Sequence, residues 1–252
     1  MRTPTLAAIV LTLNEEQHLP ACLDSLDGCA DQVIVVDSGS TDRTVELASQ
    51  AGVSVIHSPF TGYASQRNKA LDLVSDCDWV LFLDADERLT EASRVEIRDS
   101  IACADDSTAG FWIPRRNIAF GKELKGGGWW PDYQARLIRA GRGRYRDDRE
   151  VHEIVDFTGE TRHLSEPLIH INYESRGEYL RKQRAYTLRL ARDGHLTPPR
   201  PYSYLTRPAR EFIRRFVRLR GYRDGLTGIF LASAMALEEL RACFLARRGH
   251  AQ

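Results

Sequence analysis

Five cysteines are scattered through the 252 residues, and none stands in a CxxC spacing. That excludes a cysteine-based zinc site and a disulfide framework, and it suits a reducing compartment. No apolar run reaches the roughly 20 residues that a membrane-spanning helix needs, and the apolar segment 226–237 is too short. Neither an internal repeat nor a low-complexity tract is visible. The opening Met1-Arg2-Thr3-Pro4 carries no signal-peptide pattern, so a cytoplasmic chain is expected. A glycine-rich phosphate loop with a basic residue near the start is missing, which argues against a nucleotidyltransferase. No nucleic-acid recognition module is apparent, so nucleic acid is not an expected partner.

What is present is an ordinary folding composition, 42% hydrophobic and 28% charged, enough for one large domain or one domain with an appendage. The net charge of zero hides a division. Residues 1–110 hold 7 Lys+Arg and 19 Asp+Glu, whereas residues 111–252 hold 28 and 16. The basic half can meet anionic substrates or lipid headgroups, or it can be no more than solvated helix faces.

Apolar strands alternate with helical patterns through the first hundred residues. Strands are expected at 5–12, 32–36, 53–57 and 79–83. Helices are expected from Asn14 to about Leu26, over 42–51, 63–74 and 90–103. This is the rhythm of βαβ units with a mostly parallel sheet. Ligands of such sheets bind beyond the carboxyl ends of the strands. Asn14, Asp37 and Asp84 each follow a strand at that edge. The fourth strand ends in Asp84-Ala85-Asp86, and extended alternation puts the two carboxylates on one side. Two such charges need a neutralising cation, and Mg2+ or Mn2+ suits oxygen donors. The alternative is a capped strand end with two exposed acids. After residue 110 the rhythm breaks into short strands, a glycine and tryptophan loop at 126–132 and a helix over 175–193. A basic helical tail follows at about 203–248.

The chain resembles the family 2 glycosyltransferases. The matching pieces are Leu13-Asn14-Glu15-Glu16, Asp37-Ser38-Gly39-Ser40-Thr41-Asp42, Gln66-Arg67-Asn68-Lys69-Ala70 and Leu83-Asp84-Ala85-Asp86, in family order and spacing. Trp130-Pro131-Asp132-Tyr133-Gln134-Ala135-Arg136-Leu137, followed by Val151-His152-Glu153, is similar to a bacterial branch. That branch includes glucosyltransferases of the lipopolysaccharide inner core. The resemblance implies an α/β GT-A (Rossmann-like) fold with a mostly parallel mixed sheet flanked by helices. The transferase domain would cover 1–174, with a nucleotide-sugar half at 1–110 and an acceptor half at 111–174. Residues 175–252 would form a helical basic extension.

By the same resemblance, Asn14 and Glu15 or Glu16 lie near the nucleoside, although both acids also suit a helix N-terminus. Asp37 looks like the base-reading aspartate, against a plain turn role, while Asp42 is better placed as a helix cap. Arg67 and Asn68 fall where the family contacts nucleotide. Arg67 otherwise pairs with Asp72 at helical spacing. Asp86 is implied as the direct metal ligand, and Asp84 approaches ribose or metal-bound water. An inverting transfer needs one carboxylate base, and Glu153 and Asp132 are the candidates. His152 then orients its neighbour. Trp129, Trp130 and Tyr133 stack on a sugar, or else anchor their loop.

Residues 200–248 hold 11 Arg and four acids, and Phe212, Ile213, Phe216, Val217 and Leu219 interleave with arginines. This reads as a basic amphipathic helix on an anionic membrane surface, on the inner face of the bacterial inner membrane, or as a helix packed on its own domain. The expected activity is metal-dependent, inverting transfer of a hexose, glucose by resemblance. It would run from a UDP-sugar to a lipid-linked glycan, with lipopolysaccharide inner core as the leading acceptor. Capsule, teichoic-type polymer or protein acceptors remain alternatives. So does a nucleotide-binding scaffold without catalysis.

Overall fold

The structure, a computed structural model, describes residues 2–74, 76–146, 154–192 and 194–249. They divide into two compact units, residues 1–115 with 133–170, and residues 116–132 with 171–252. The glycine and tryptophan loop therefore groups with the helical tail.

The first unit is built on β1 (Leu6–Thr12), β2 (Gln32–Asp37), β3 (Ser54–His57) and β4 (Trp79–Asp84). Between them run α1 (Leu19–Asp24), α2 (Thr44–Gln50) and α3 (Tyr63–Asp72). After β4 come β5 (Glu87–Arg88), α4 (Glu91–Ala102) and β6 (Thr108–Ala119), whose end passes into the second unit. The second unit then holds β7 (Lys122–Glu123), and β8 (Asp132–Arg139) returns to the first. There β9 (Gly143–Tyr145), β10 (Val155–Phe157), β11 (Glu160–His163) and β12 (Leu168–Tyr173) complete the strands. The sheet order is β3-β2-β1-β4-β8-β6-β12-β5, and β9 and β10 form a separate ribbon.

β1 to β4 are mutually parallel, whereas β4 pairs antiparallel with β8. The α/β fold with a mixed sheet flanked by helices is thus as expected. β1 and β4 are buried nearly throughout because helices cover both faces, which is why they read as unbroken apolar runs. Alternation sends Leu6, Ala8, Val10, Leu81 and Leu83 to one core, and Ala7, Ile9, Val80 and Phe82 to the other.

Register matters most for the site. Thr12 pairs with Asp37, Asp37 with His57, and Leu11 with Asp84. The polar ends of four strands are therefore level at one sheet edge.

Two helix starts differ from expectation. Asn14 takes a left-handed backbone conformation at φ 57°, and α1 begins only at Leu19, with a proline in its first turn. α2 begins at Thr44 rather than 42, since Asp42 accepts the Thr44 N–H at 3.0 Å from just outside the helix. All five cysteines are unpaired.

In the second unit α5 (Arg176–Arg192), α6 (Ser203–Ile213) and α7 (Gly225–Gly249) follow, with a π-helical stretch at Arg214–Arg218 after α6. A small core of Ala119, Leu124, Tyr179, Leu231 and Ala234 holds the unit together. No helix among the described residues is long and apolar enough to cross a membrane.

Candidate active site

The loops after β1 and β2 are tied to each other. Asn14 Oδ1 accepts the Thr41 N–H at 2.8 Å, and the Asn14 N–H donates to Ser40 Oγ at 2.9 Å. The Glu15 N–H donates to Thr44 Oγ1 at 2.8 Å, which leaves the Glu15 side chain on a cavity wall. Glu16 turns the other way, and its carboxylate accepts the Arg43 N–H at 3.1 Å. Of the two acids, Glu15 alone lines the cavity.

Asp37 is buried and organises its own turn. One oxygen accepts the N–H groups of Gly39 and Ser40, both at 2.9 Å, and the other takes the hydroxyls of Ser40 and Thr12. Burial opposes its charge, but the Ser40, Gly39 and Thr12 hydrogen bonds outweigh it and hold the carboxyl below the usual carboxylate range. Its neighbour Ser38, not Asp37, faces the cavity.

α3 brings Gln66 and Arg67, both buried. Gln66 Nε2 donates to Ser38 Oγ at 2.6 Å. Arg67 Nη2 donates to Asp84 Oδ1 at 2.8 Å, and its guanidinium lies 5.2 Å from the Phe82 ring centre. The alternative pairing of Arg67 with Asp72 is not what forms, because Asp72 accepts from Arg144 at 2.6 Å. Asn68 does not line the cavity. Its amide bridges both backbone groups of Tyr145, at 2.8 and 2.9 Å, and so joins α3 to β9.

The two aspartates after β4 have different surroundings. The strand ends at Asp84, and a turn through Ala85 and Asp86 leads to β5, so extended alternation does not continue to Asp86. Asp84 Oδ1 holds Arg67, and Oδ2 holds Arg136 from β8. Arg136 also donates to Glu87 Oε1 at 2.6 Å, and Arg115 from β6 lies 3.4 Å from the same oxygen. Glu87 is fully buried, and its other oxygen accepts the Asp84 N–H at 3.0 Å. Burial works against the Asp84 charge, yet the Arg136 and Arg67 guanidiniums overcome it and keep the carboxyl well below its ordinary range. Asp86 has a different partner, with Oδ2 3.3 Å from His170 Nε2 on β12.

These groups surround a cavity of about 430 Å³ at the carboxyl edge of β1, β2 and β4. Its walls carry Arg67, Arg115, Arg136 and His170 as possible cations, and Glu15, Asp84 and Asp86 as anions. Phe60 and Tyr63 form an exposed aromatic side. Three guanidiniums face two carboxylates in the Asp84 and Glu87 cluster, and Glu15 and Asp86 add two further acids to the cavity. Among the described residues no group of three His, Cys, Asp or Glu side chains is poised for a metal. Asp86 and His170, one oxygen and one nitrogen donor, nevertheless fit a divalent cation such as Mn2+ that completes its shell with phosphate oxygens and water.

Other expected site residues are not part of this lining. Tyr133 is exposed and packs edge-on against His163 at 4.7 Å. In the second unit Trp129 packs against Tyr173 at 6.2 Å, so it anchors its loop, while Trp130 is exposed. Asp132 accepts from Asn117 Nδ2 at 3.2 Å. His152 and Glu153 lie outside the described residues. Sequence reasoning did not single out Glu87, Arg115, Arg136 or His170 as site residues. Their only local signal is a polar residue inside a strand or directly after the Asp-x-Asp run.

The cavity lies beyond the carboxyl ends of the parallel strands, where α/β sheets of this kind bind their ligands. Residues 7–166 match the model of glycosyl transferase family 2; the chain belongs to that family and is a glycosyltransferase. It is 33% identical over 246 residues to the lipopolysaccharide core biosynthesis glycosyltransferase LpsC of Rhizobium meliloti (strain 1021), covering 92% of this chain and 88% of that one. An uncharacterized glycosyltransferase of Rickettsia bellii is 39% identical over 95 residues, 38% of this chain and 32% of its own length. Among solved structures, glucosyl-3-phosphoglycerate synthase from Mycobacterium tuberculosis, in complex with Mn2+, UDP and phosphoglyceric acid, is similar at TM-score 0.38 and 26% identity. That match covers 45% of this chain and 44% of the synthase.

Replacing Glu87 by Gln removes the carboxylate shared by Arg136 and Arg115. A loss of about 3 kcal/mol in unfolding free energy is expected, measured by urea titration. For Asp37 the folded pKa is depressed, so its contribution to stability is complete above its unfolded value of about 4 and fades as pH falls through the folded value. Asp37→Asn should cost about 2 kcal/mol at pH 7. The gap to the wild type should narrow at pH 3, and a gap independent of pH would refute the assignment.

Proposed function

We propose that this glycosyltransferase moves a hexose, glucose, from a UDP-sugar to a membrane-associated glycan of the lipopolysaccharide inner core, with inversion. The observation that carries the donor reading is the cavity. It sets three guanidiniums, held in place by Asp84 and Glu87, beside the Asp86 and His170 donor pair at the sheet edge. The acceptor reading is supported by the likeness to LpsC, which runs over most of both chains. A peripheral position on the inner face of the bacterial inner membrane goes with such an acceptor.

In this reading Phe60 and Tyr63 offer an apolar wall for the base, and Glu15 accepts from ribose hydroxyls. Arg67 and Arg136 are held by Asp84 and Glu87, so they present fixed positive charge to the diphosphate without reorganising during the reaction. The acceptor hydroxyl attacks the anomeric carbon as the bond from that carbon to the diphosphate oxygen breaks, and UDP leaves. The hydroxyl proton passes to a carboxylate, Glu153 or Asp132. Asp132 opens β8, two residues before the cavity residue Gln134. Asp86 and His170 would hold Mg2+ or Mn2+, which when bound supplies Lewis-acid stabilisation of the leaving diphosphate.

Asp86→Ala and His170→Ala should each remove the enhancement of UDP affinity by Mn2+ in calorimetry and lower transfer by about 100-fold, with the circular dichroism spectrum unchanged. Undiminished transfer in excess chelator would contradict the metal-assisted reading.

A further inference from the structure

α6 and the π-helical stretch after it have two unlike sides. Phe212 and Phe216 stack on each other at 5.4 Å, and Tyr204 packs on Phe244 of α7 at 5.0 Å. Leu205, Ile213 and Val217 point outward instead, at 80%, 50% and 54% exposure. With Ala209 they recur every four residues and form one stripe along the helix. Arg210, Arg214 and Arg218 follow one residue later and form a parallel row, all exposed. The acids of this segment are engaged on the protein itself. Glu211 holds Arg214 and Arg215, and Asp224 accepts the N–H groups of Lys125 and Gly126. Arg210 and Arg218 have no ion-pair partner among the described residues.

An apolar stripe beside a row of arginines, of which Arg210 and Arg218 are uncompensated among the described residues, selects its occupant. A second copy of the chain would bring two arginine rows together and be repelled. A nucleic-acid backbone would satisfy the arginines but leave Leu205 and Ile213 in water. An anionic phospholipid surface satisfies both, with phosphates on the arginines and the stripe among the upper acyl carbons. We propose that this face of α6 seats the protein on anionic phospholipid. The inference rests on the proposed lipid-borne acceptor only for its purpose, not for its evidence.

The test is co-sedimentation of the full chain with phosphatidylcholine vesicles, with and without phosphatidylglycerol. Binding should need phosphatidylglycerol and weaken with salt. R210Q/R218Q and L205S/I213S should each reduce it by about tenfold or more, with UDP affinity and circular dichroism unchanged. Equal binding to both vesicles, unaltered binding by both variants, or a dimer that L205S/I213S dissociates would overturn the proposal. Loss of UDP binding in the wild type would overturn the donor reading and leave this one standing.

Discussion

The ionic cluster at the end of β4 is the constraint on which the site depends. Asp84 and Glu87 together fix Arg67, Arg115 and Arg136, which arrive from α3, β6 and β8. A buried guanidinium without its carboxylate is strongly unfavourable, so each member requires the others. The cluster therefore joins elements far apart in sequence around one strand end. Its three guanidiniums are held on the wall of the cavity.

Register makes this possible. β1, β2, β3 and β4 finish level, so Thr12, Asp37, His57 and Asp84 form one polar edge above a dry sheet. The loop after β1 is held to the loop after β2 through Asn14, Ser40 and Thr41, and that frees Glu15 to face the cavity. Asp37 and Asn68 are bonded to backbone of their own surroundings, whereas their neighbours Ser38 and Arg67 line the cavity. Polar groups after β1 and β2 and on α3 thus divide between holding the edge and lining the cavity.

This division also explains what could be read from the sequence. Asp84 and Asp86 were legible because an apolar run ends abruptly in carboxylates, and the βαβ rhythm placed them at the sheet edge. That they face different partners was not, because the turn at Ala85 interrupts the alternation. Arg115, Arg136 and His170 were hidden for a different reason. They come from strands that join the sheet non-locally after the rhythm breaks, and pairing of that kind leaves no local pattern. The interleaved arginines and apolar residues near 212–219 signalled an amphipathic surface. Only the structure separated the inward Phe212 and Phe216 from the outward Ile213 and Val217.

The central claim is that the cavity at the carboxyl edge is where the nucleotide-sugar binds. Hydrogen–deuterium exchange with and without UDP and Mn2+ tests it most directly. Protection should appear in the segments 11–15, 38–40 and 84–87 and in β8 around Gln134 and Arg136. Protection confined to other parts of the chain, or none at a saturating UDP concentration, would contradict it.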